Sequence, residues 1–182
     1  MKKLTVLLLV MALLVFSGSA LAQNQGYFEA KFGIDVMGEF DPDGSSEEDV
    51  ETGYTLTGEY KIPMDAMWTY GAGIAYQLDR EIDVTDGGEF NFTSVYALGQ
   101  YNLEDSPTYL LGHLGYNTFD GDGPGDYSGG LYYGLGAGFN FGQSNQYVAE
   151  FIYSVNSGEY EDGGDSTDVD YSKISMSVGM KF

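Results

Sequence analysis

Few residues in this chain of 182 can do chemistry, since it holds one histidine and no cysteine. An activated nucleophile or a polarised water usually needs a histidine as base or ligand. His113 is followed by Leu114 and Gly115, with no neighbouring serine to form a His–Ser pair. It is expected as a member of an inward polar network, so no catalytic and no cofactor-binding residue is assigned. Asp120, Asp122 and Asp126 have the spacing of some calcium loops but lack the distal bidentate glutamate of a full site. Asp162, Asp165, Asp168 and Asp170 are spaced in the same way. Both sets are taken as solvated acidic loops, and no metal site and no cofactor is assigned. The third constellation is mixed in sign. Glu29 with Lys31, Glu59 with Lys61, and Glu150 in a third segment alternate with apolar residues, which predicts a buried charge network with His113 beside it.

These charges sit on segments of strict two-residue period. In Asp170–Phe182 the residues Ile174, Met176, Val178, Met180 and Phe182 are apolar, and those between them are polar or small. That alternation is a strand with one oily face. Seven more segments read the same way: 27–36, 53–62, 67–78, 90–103, 109–118, 131–141 and 147–156. In the segment 90–103 the phase is ambiguous. Placing Val95, Ala97, Gly99, Tyr101 and Leu103 outward leaves Phe90 and Phe92 needing a bulge or a position above a bilayer.

Short turns at 63–66, 104–107 and 142–146 alternate with four longer acidic stretches at 38–50, 79–89, 119–130 and 157–170, which are expected as loops. Those four hold twenty of the 28 acids, so charge is sorted to one end of the molecule. High glycine (27), tyrosine (16) and phenylalanine (11) suit strands and turns better than helices.

Residues 1–22 read as a secretory signal peptide: Lys2 and Lys3, an apolar run from Leu4 to Phe16, and Ala20-Leu21-Ala22 as the cleavage site. A helix over Leu4–Gly18 is expected there. Its loss changes the formal charge from −21 to −23 and leaves one domain, 23–182. Without cysteine there is no lipoprotein anchor and no disulfide. The acidity excludes nucleic acid as a partner, because phosphate binding needs basic residues. After Ala22 no apolar run is long enough for a spanning helix.

The pattern fits an all-β, eight-stranded antiparallel up-and-down barrel in a membrane. The competing arrangement is a soluble lipocalin-type calyx, because alternation does not say which face is inside. Three features decide for the membrane: charges mid-strand among the small residues, aromatics near strand ends (Trp68, Tyr70, Tyr101, Phe139, Tyr147, Phe182), and a last strand that runs to Phe182.

Several stretches carry a resemblance. They are Tyr133-Gly134-Leu135-Gly136-Ala137-Gly138-Phe139-Asn140-Phe141, Ala149-Glu150-Phe151-Ile152-Tyr153-Ser154, Tyr109 to Tyr116, and the closing Val178-Gly179-Met180-Lys181-Phe182. The chain resembles the small eight-stranded bacterial outer-membrane β-barrel family, both the OmpX/Ail-like group and the OmpA-like barrel domain. As the sequence runs to Phe182, the peptidoglycan-binding domain of full OmpA-like proteins is not expected. The resemblance implies a monomer in the cell outer membrane, in contact with outer-membrane lipid and lipopolysaccharide. It also implies recognition of the C-terminal strand by the outer-membrane assembly machinery. The expected role is non-enzymatic, structural or surface-interacting; the alternative is a narrow porin-like channel for small solutes or small apolar molecules.

Overall fold

The computed structural model describes residues 26–42, 48–81, 89–121, 125–163 and 165–182. The expected leader 1–22 and its helix lie outside these residues. Eight long strands follow one another in the chain: β1 (Tyr27–Pro42), β2 (Gly53–Pro63), β3 (Trp68–Gln77), β4 (Glu89–Asn102), β5 (Thr108–Gly121), β6 (Asp126–Phe141), β7 (Tyr147–Asp162) and β8 (Asp165–Lys181). Each pairs antiparallel with its neighbours in sequence, and β8 pairs back onto β1, so the sheet is closed. Closure removes the exposed edges that an apolar sheet would otherwise present. Beyond the ladder, the Phe182 N–H donates to the Phe28 carbonyl at 2.8 Å, and the Phe28 N–H donates back at 3.3 Å. Two short segments, Glu48–Val50 and Arg80–Glu81, pair beside β1 and β4.

The alternation is as read, and its inside and outside are inverted relative to a soluble protein. Leu135 is 70 % exposed and Val178 59 %, while Glu29 and Lys61 are 1 % exposed and Glu150 5 %. A soluble calyx would show the reverse. Trp68, Tyr70, Phe139, Phe141, Tyr147 and Phe182 form an exposed aromatic belt at the short-turn end. Val155, expected outward, keeps that phase but is buried.

Three expectations are corrected. The first concerns the acidic stretches. β1 runs on to Pro42, β5 reaches Gly121 and β6 starts at Asp126; β7 runs to Asp162 and β8 starts at Asp165. Much of two of the four expected loops is therefore strand. The acids there occupy the outward phase: Asp120, Asp126, Glu159, Glu161, Asp168 and Asp170 are exposed, while Phe119, Val169 and Tyr171 between them are buried. Cross-strand pairing in these extensions overrides the loop-like composition.

The second correction concerns Phe90 and Phe92 of β4, whose chosen phase, with Val95, Ala97 and Gly99 outward, holds. Its register against β5 runs without interruption from Phe90 to Asn102, so no bulge exists there. Phe90 and Phe92 point inward with Ser94, Tyr96, Leu98 and Gln100, and lie inside the lumen. The third is a bulge the sequence did not announce. The β1–β8 register shifts between Val36 and Glu39, and Met37 there has φ 52°. The extra residue flips the phase, so Gly38 and Phe40 face inward where continued alternation would have turned them out. A second shift, between Gly129 and Tyr132, does the same for Tyr127.

Candidate functional site: the lumen and its outer mouth

An eight-stranded barrel is just wide enough for side chains to fill it. Here the filling falls into three layers. Near the short-turn end lies the predicted network. Lys31 Nζ is 2.5 Å from Glu150 Oε2, 2.8 Å from Glu59 Oε1 and 3.5 Å from Glu29 Oε1. Lys61 Nζ is 2.8 Å from Glu29 Oε1, 2.9 Å from Glu59 Oε2 and 3.5 Å from Glu150 Oε1. Two ammonium groups thus sit between three carboxylates, so that none of these charges lies buried without a countercharge. Tyr96 donates to Glu59 and Tyr109 to Glu150, each at 2.7 Å. Small residues make room for these rings: a Cβ on Gly73 would press into Tyr96 and Glu59, and one on Gly138 into Tyr109.

His113 joins this layer as predicted. Its ring stacks on Tyr96 with centroids 4.3 Å apart, Nδ1 lies 3.3 Å from the Tyr132 hydroxyl, and Nε2 lies 3.7 Å from Glu59. Its neighbours are thus aromatic and acidic, the surroundings of a network member.

The second layer was not foreseen. Asp35 accepts from Lys173 Nζ (2.8 Å), Thr55 Oγ1 (2.6 Å), Ser175 Oγ (2.6 Å) and Arg80 Nη1 (3.2 Å). Lys173 also donates to Gln77 Oε1 at 2.9 Å. Arg80, counted in a loop by sequence, reaches into the lumen and is 2 % exposed. Asp35 and Lys173 do fall on the inward phase of their strands, which was the available signal. Together the two layers hold four anions (Glu29, Glu59, Glu150, Asp35) and four cations (Lys31, Lys61, Arg80, Lys173), so with a neutral histidine the lumen balances. Between them is a cavity of about 40 Å³, bordered by Lys31, Glu150, Lys173 and Phe92, large enough for a few waters.

The third layer is apolar and closes the acidic end. Phe92 lies between Phe119 (4.7 Å, interplanar 13°) and Tyr171 (5.9 Å, 0°). Phe90 meets Tyr171 edge-on at 5.2 Å, and Phe40 lies 5.1 Å from Phe90. Val50 and Val169 complete the cluster. Arg80 and Lys173 lie below the Tyr171 ring at 5.7 and 5.9 Å, coupling the plug to the charged layer. Phe40, Val50 and Phe119 all lie in stretches expected as loops, which is why sequence analysis missed the plug.

Of the calcium-type residues, Asp122 lies outside the described residues. Asp120 and Asp126 are exposed on β5 and β6. Asp168 and Asp170 are exposed on β8. Among the described residues, one group of three or more acidic, histidine or cysteine side chains converges closely enough to hold a metal ion: Glu29, Glu59 and Glu150. Lys31 and Lys61 already occupy its centre.

A closed antiparallel barrel with a polar lumen and a continuous apolar outer wall belts its aromatics at the interface and suits a bilayer, not water. The chain belongs to the outer membrane protein beta-barrel domain family, whose profile matches residues 8–182. It is an eight-stranded outer-membrane barrel, located in the cell outer membrane. Its short turns therefore face the periplasm and its acidic extensions the exterior. Among solved structures it is similar to Ail, the attachment invasion locus protein of Yersinia pestis. Identity is 17 % over 86 % of this chain and 97 % of that one, with a TM-score of 0.55. Ail has also been solved in complex with the heparin analogue sucrose octasulfate, at 18 % identity over 87 % and 99 % of the chains and a TM-score of 0.55. Neisserial surface protein A matches at 16 % identity over 87 % and 97 %, TM-score 0.55. At these identities the likeness concerns the fold. No curated protein sequence matches the chain significantly.

Proposed function

We propose that the mature chain, residues 23–182, is a non-enzymatic outer-membrane barrel with a closed lumen that acts through its acidic outer face, in a structural or surface-interaction role. The observation that carries this is the filling of the lumen. Two interlocked charge layers and an aromatic plug occupy it in series, and the cavity between them is only about 40 Å³. Conductance through such a core requires breaking buried ion pairs, so the alternative of a narrow channel has less support.

The partner chemistry follows from the distribution of charge. Of the five basic side chains after residue 25, Lys31, Lys61, Arg80 and Lys173 are buried in the lumen. Lys181 lies at the periplasmic end, donating to Asn140 at 2.6 Å. Among the described residues the outer surface offers carboxylates without a cation. A sulfated polyanion such as the one bound to Ail has nothing basic to hold it here, so we assign the outer face to cationic partners. The chain contacts outer-membrane lipid and lipopolysaccharide through the apolar wall, acts as a monomer, and presents its β8 strand to the assembly machinery. Purified protein reconstituted in a planar lipid bilayer tests the closed lumen: no current steps are expected, and reproducible ohmic steps would overturn it.

A further inference from the structure

The outer mouth contains a cavity of about 260 Å³ above the plug. Phe40, Phe90, Phe119, Tyr127, Tyr160 and Val169 line it, and Glu89 stands at its rim. The rings are set at angles to one another: Phe119 and Tyr127 meet edge-to-face at 5.0 Å and 84°, and Tyr127 and Tyr160 are tilted at 5.1 Å and 43°. Five aromatic rings therefore border this space. Its volume lies just below the roughly 300–1,000 Å³ of pockets for drug-sized ligands, so the occupant is small.

The surroundings select the occupant's charge. Asp126 and Glu161 face each other in the register that also pairs Tyr127 with Tyr160, and both are exposed on the outer face of the strands whose inner face borders the cavity. Glu159 and Asp168 form the next such pair. Arg80 and Lys173 both donate to Asp35 below the Tyr171 ring, Lys173 also borders the inner cavity, and neither lines the outer one. An aromatic wall with negative π-faces inside a ring of carboxylates favours a cation on both counts, through cation–π contact and through the long-range field. An anion is repelled on both counts, and a neutral apolar molecule uses only the wall.

We propose that this outer cavity binds a small organic cation with an apolar body, of the aryl- or alkylammonium class. The proposal rests on the surface-facing role above and gives it a ligand class.

The test is a titration of benzyltrimethylammonium, benzyl alcohol and benzylphosphonate into the full barrel in phosphatidylcholine nanodiscs, followed by ring-proton NMR shifts and calorimetry. The expected result is saturable binding of benzyltrimethylammonium, with shifts confined to Phe90, Phe119, Tyr127 and Tyr160. Affinity should exceed that of benzyl alcohol by at least about tenfold, fall with added salt, and be absent for benzylphosphonate. Tyr160→Leu keeps apolar bulk but removes a ring face and should weaken binding about tenfold. The exposed rim substitution Glu89→Gln leaves the wall intact and should weaken it severalfold. Equal affinity for benzyl alcohol, binding indifferent to both substitutions, or no binding each overturns the proposal. Conductance reads the lumen alone: a silent barrel that binds nothing sinks the pocket, and a conducting barrel that still binds sinks only the closed lumen.

Discussion

Lys31→Met tests the charged layer most directly, because methionine keeps the length of the stem and removes only the ammonium group. That ammonium lies within 3.5 Å of Glu29, Glu59 and Glu150. Without it, three carboxylates share Lys61 alone. Removing one partner of a buried ion pair costs about 3–5 kcal/mol. The loss has a ceiling, because one carboxylate can be neutralised instead. For an ordinary glutamate protonating near pH 4.3, neutralisation at pH 7 costs about 3.7 kcal/mol. We therefore expect a loss of about 3–4 kcal/mol. With a urea m-value of about 1–3 kcal/mol per molar, the midpoint falls by roughly 1–4 M.

The assay is urea unfolding of the barrel in zwitterionic detergent, followed by fluorescence of Trp68, the sole tryptophan. Two controls separate stranded charge from lost packing. At pH 5 the neutralisation cost falls to about 1 kcal/mol, so the deficit of the variant relative to the parent should shrink. Adding Glu150→Gln removes one surplus charge but keeps an acceptor for the Tyr109 hydroxyl, and should recover at least half the loss. A midpoint equal to the parent's would show the charges to be hydrated and independent. A deficit that ignores both pH and the second substitution would refute the electrostatic account.

Other expectations follow from single residues. Deleting Phe182 removes its backbone pair with Phe28 at the closing seam. It should lower outer-membrane levels in cells more than it lowers the detergent unfolding midpoint; normal levels would contradict its role in assembly. Asp35→Asn leaves Lys173 and Arg80 without a countercharge and should cost about 3–5 kcal/mol in the same urea assay. Met37, at φ 52° and 75 % exposed, should tolerate glycine with an unchanged or higher midpoint, whereas Met37→Val places a β-branched residue in the left-handed region and should lower it. Asp168→Asn relieves a like-charge pair with Glu159 and should raise the unfolding free energy in the same assay by about 0.2–1 kcal/mol, a gain that added salt erases.

Legibility in the sequence followed the pleat. Wherever apolar and polar residues alternate cleanly, as in Leu131–Phe141 or Ile174–Phe182, both the strand and its outward face could be read. The network of Glu29, Lys31, Glu59, Lys61 and Glu150 could be read for the same reason, as charges of both signs on one phase of apolar strands. The outer end was obscured by composition. Phe119-Asp120-Gly121 and Glu159-Tyr160-Glu161 do alternate, but glycine and acid mark loops in most proteins, and nothing local shows that a neighbouring strand will pair with them. The bulge at Met37 was equally hidden, since a methionine seldom signals positive φ. That single irregularity turns Phe40 inward and with it part of the plug. Arg80 lies outside the long strands, in a two-residue segment paired to β4, and its place in the lumen follows from tertiary geometry alone.

The charge layout separates what folding needs from what it does not. The lumen pairs its four cations with four anions, so burial is met with countercharge inside the wall. The net charge of the protein therefore lies outside the lumen. On the extensions Asp126 faces Glu161, Glu159 faces Asp168, and Asp41 faces Asp170 across the ladder. Each such pair destabilises its strands relative to a neutral one, and one amide substitution would relieve it. Stability offers no reason for these rows of acid, and the aromatic rings packed between the strands are what offset them. A field held at the outer mouth against the interest of the fold is accounted for by what it attracts, and the aromatic cavity at its centre is where a cation drawn in by that field would come to rest.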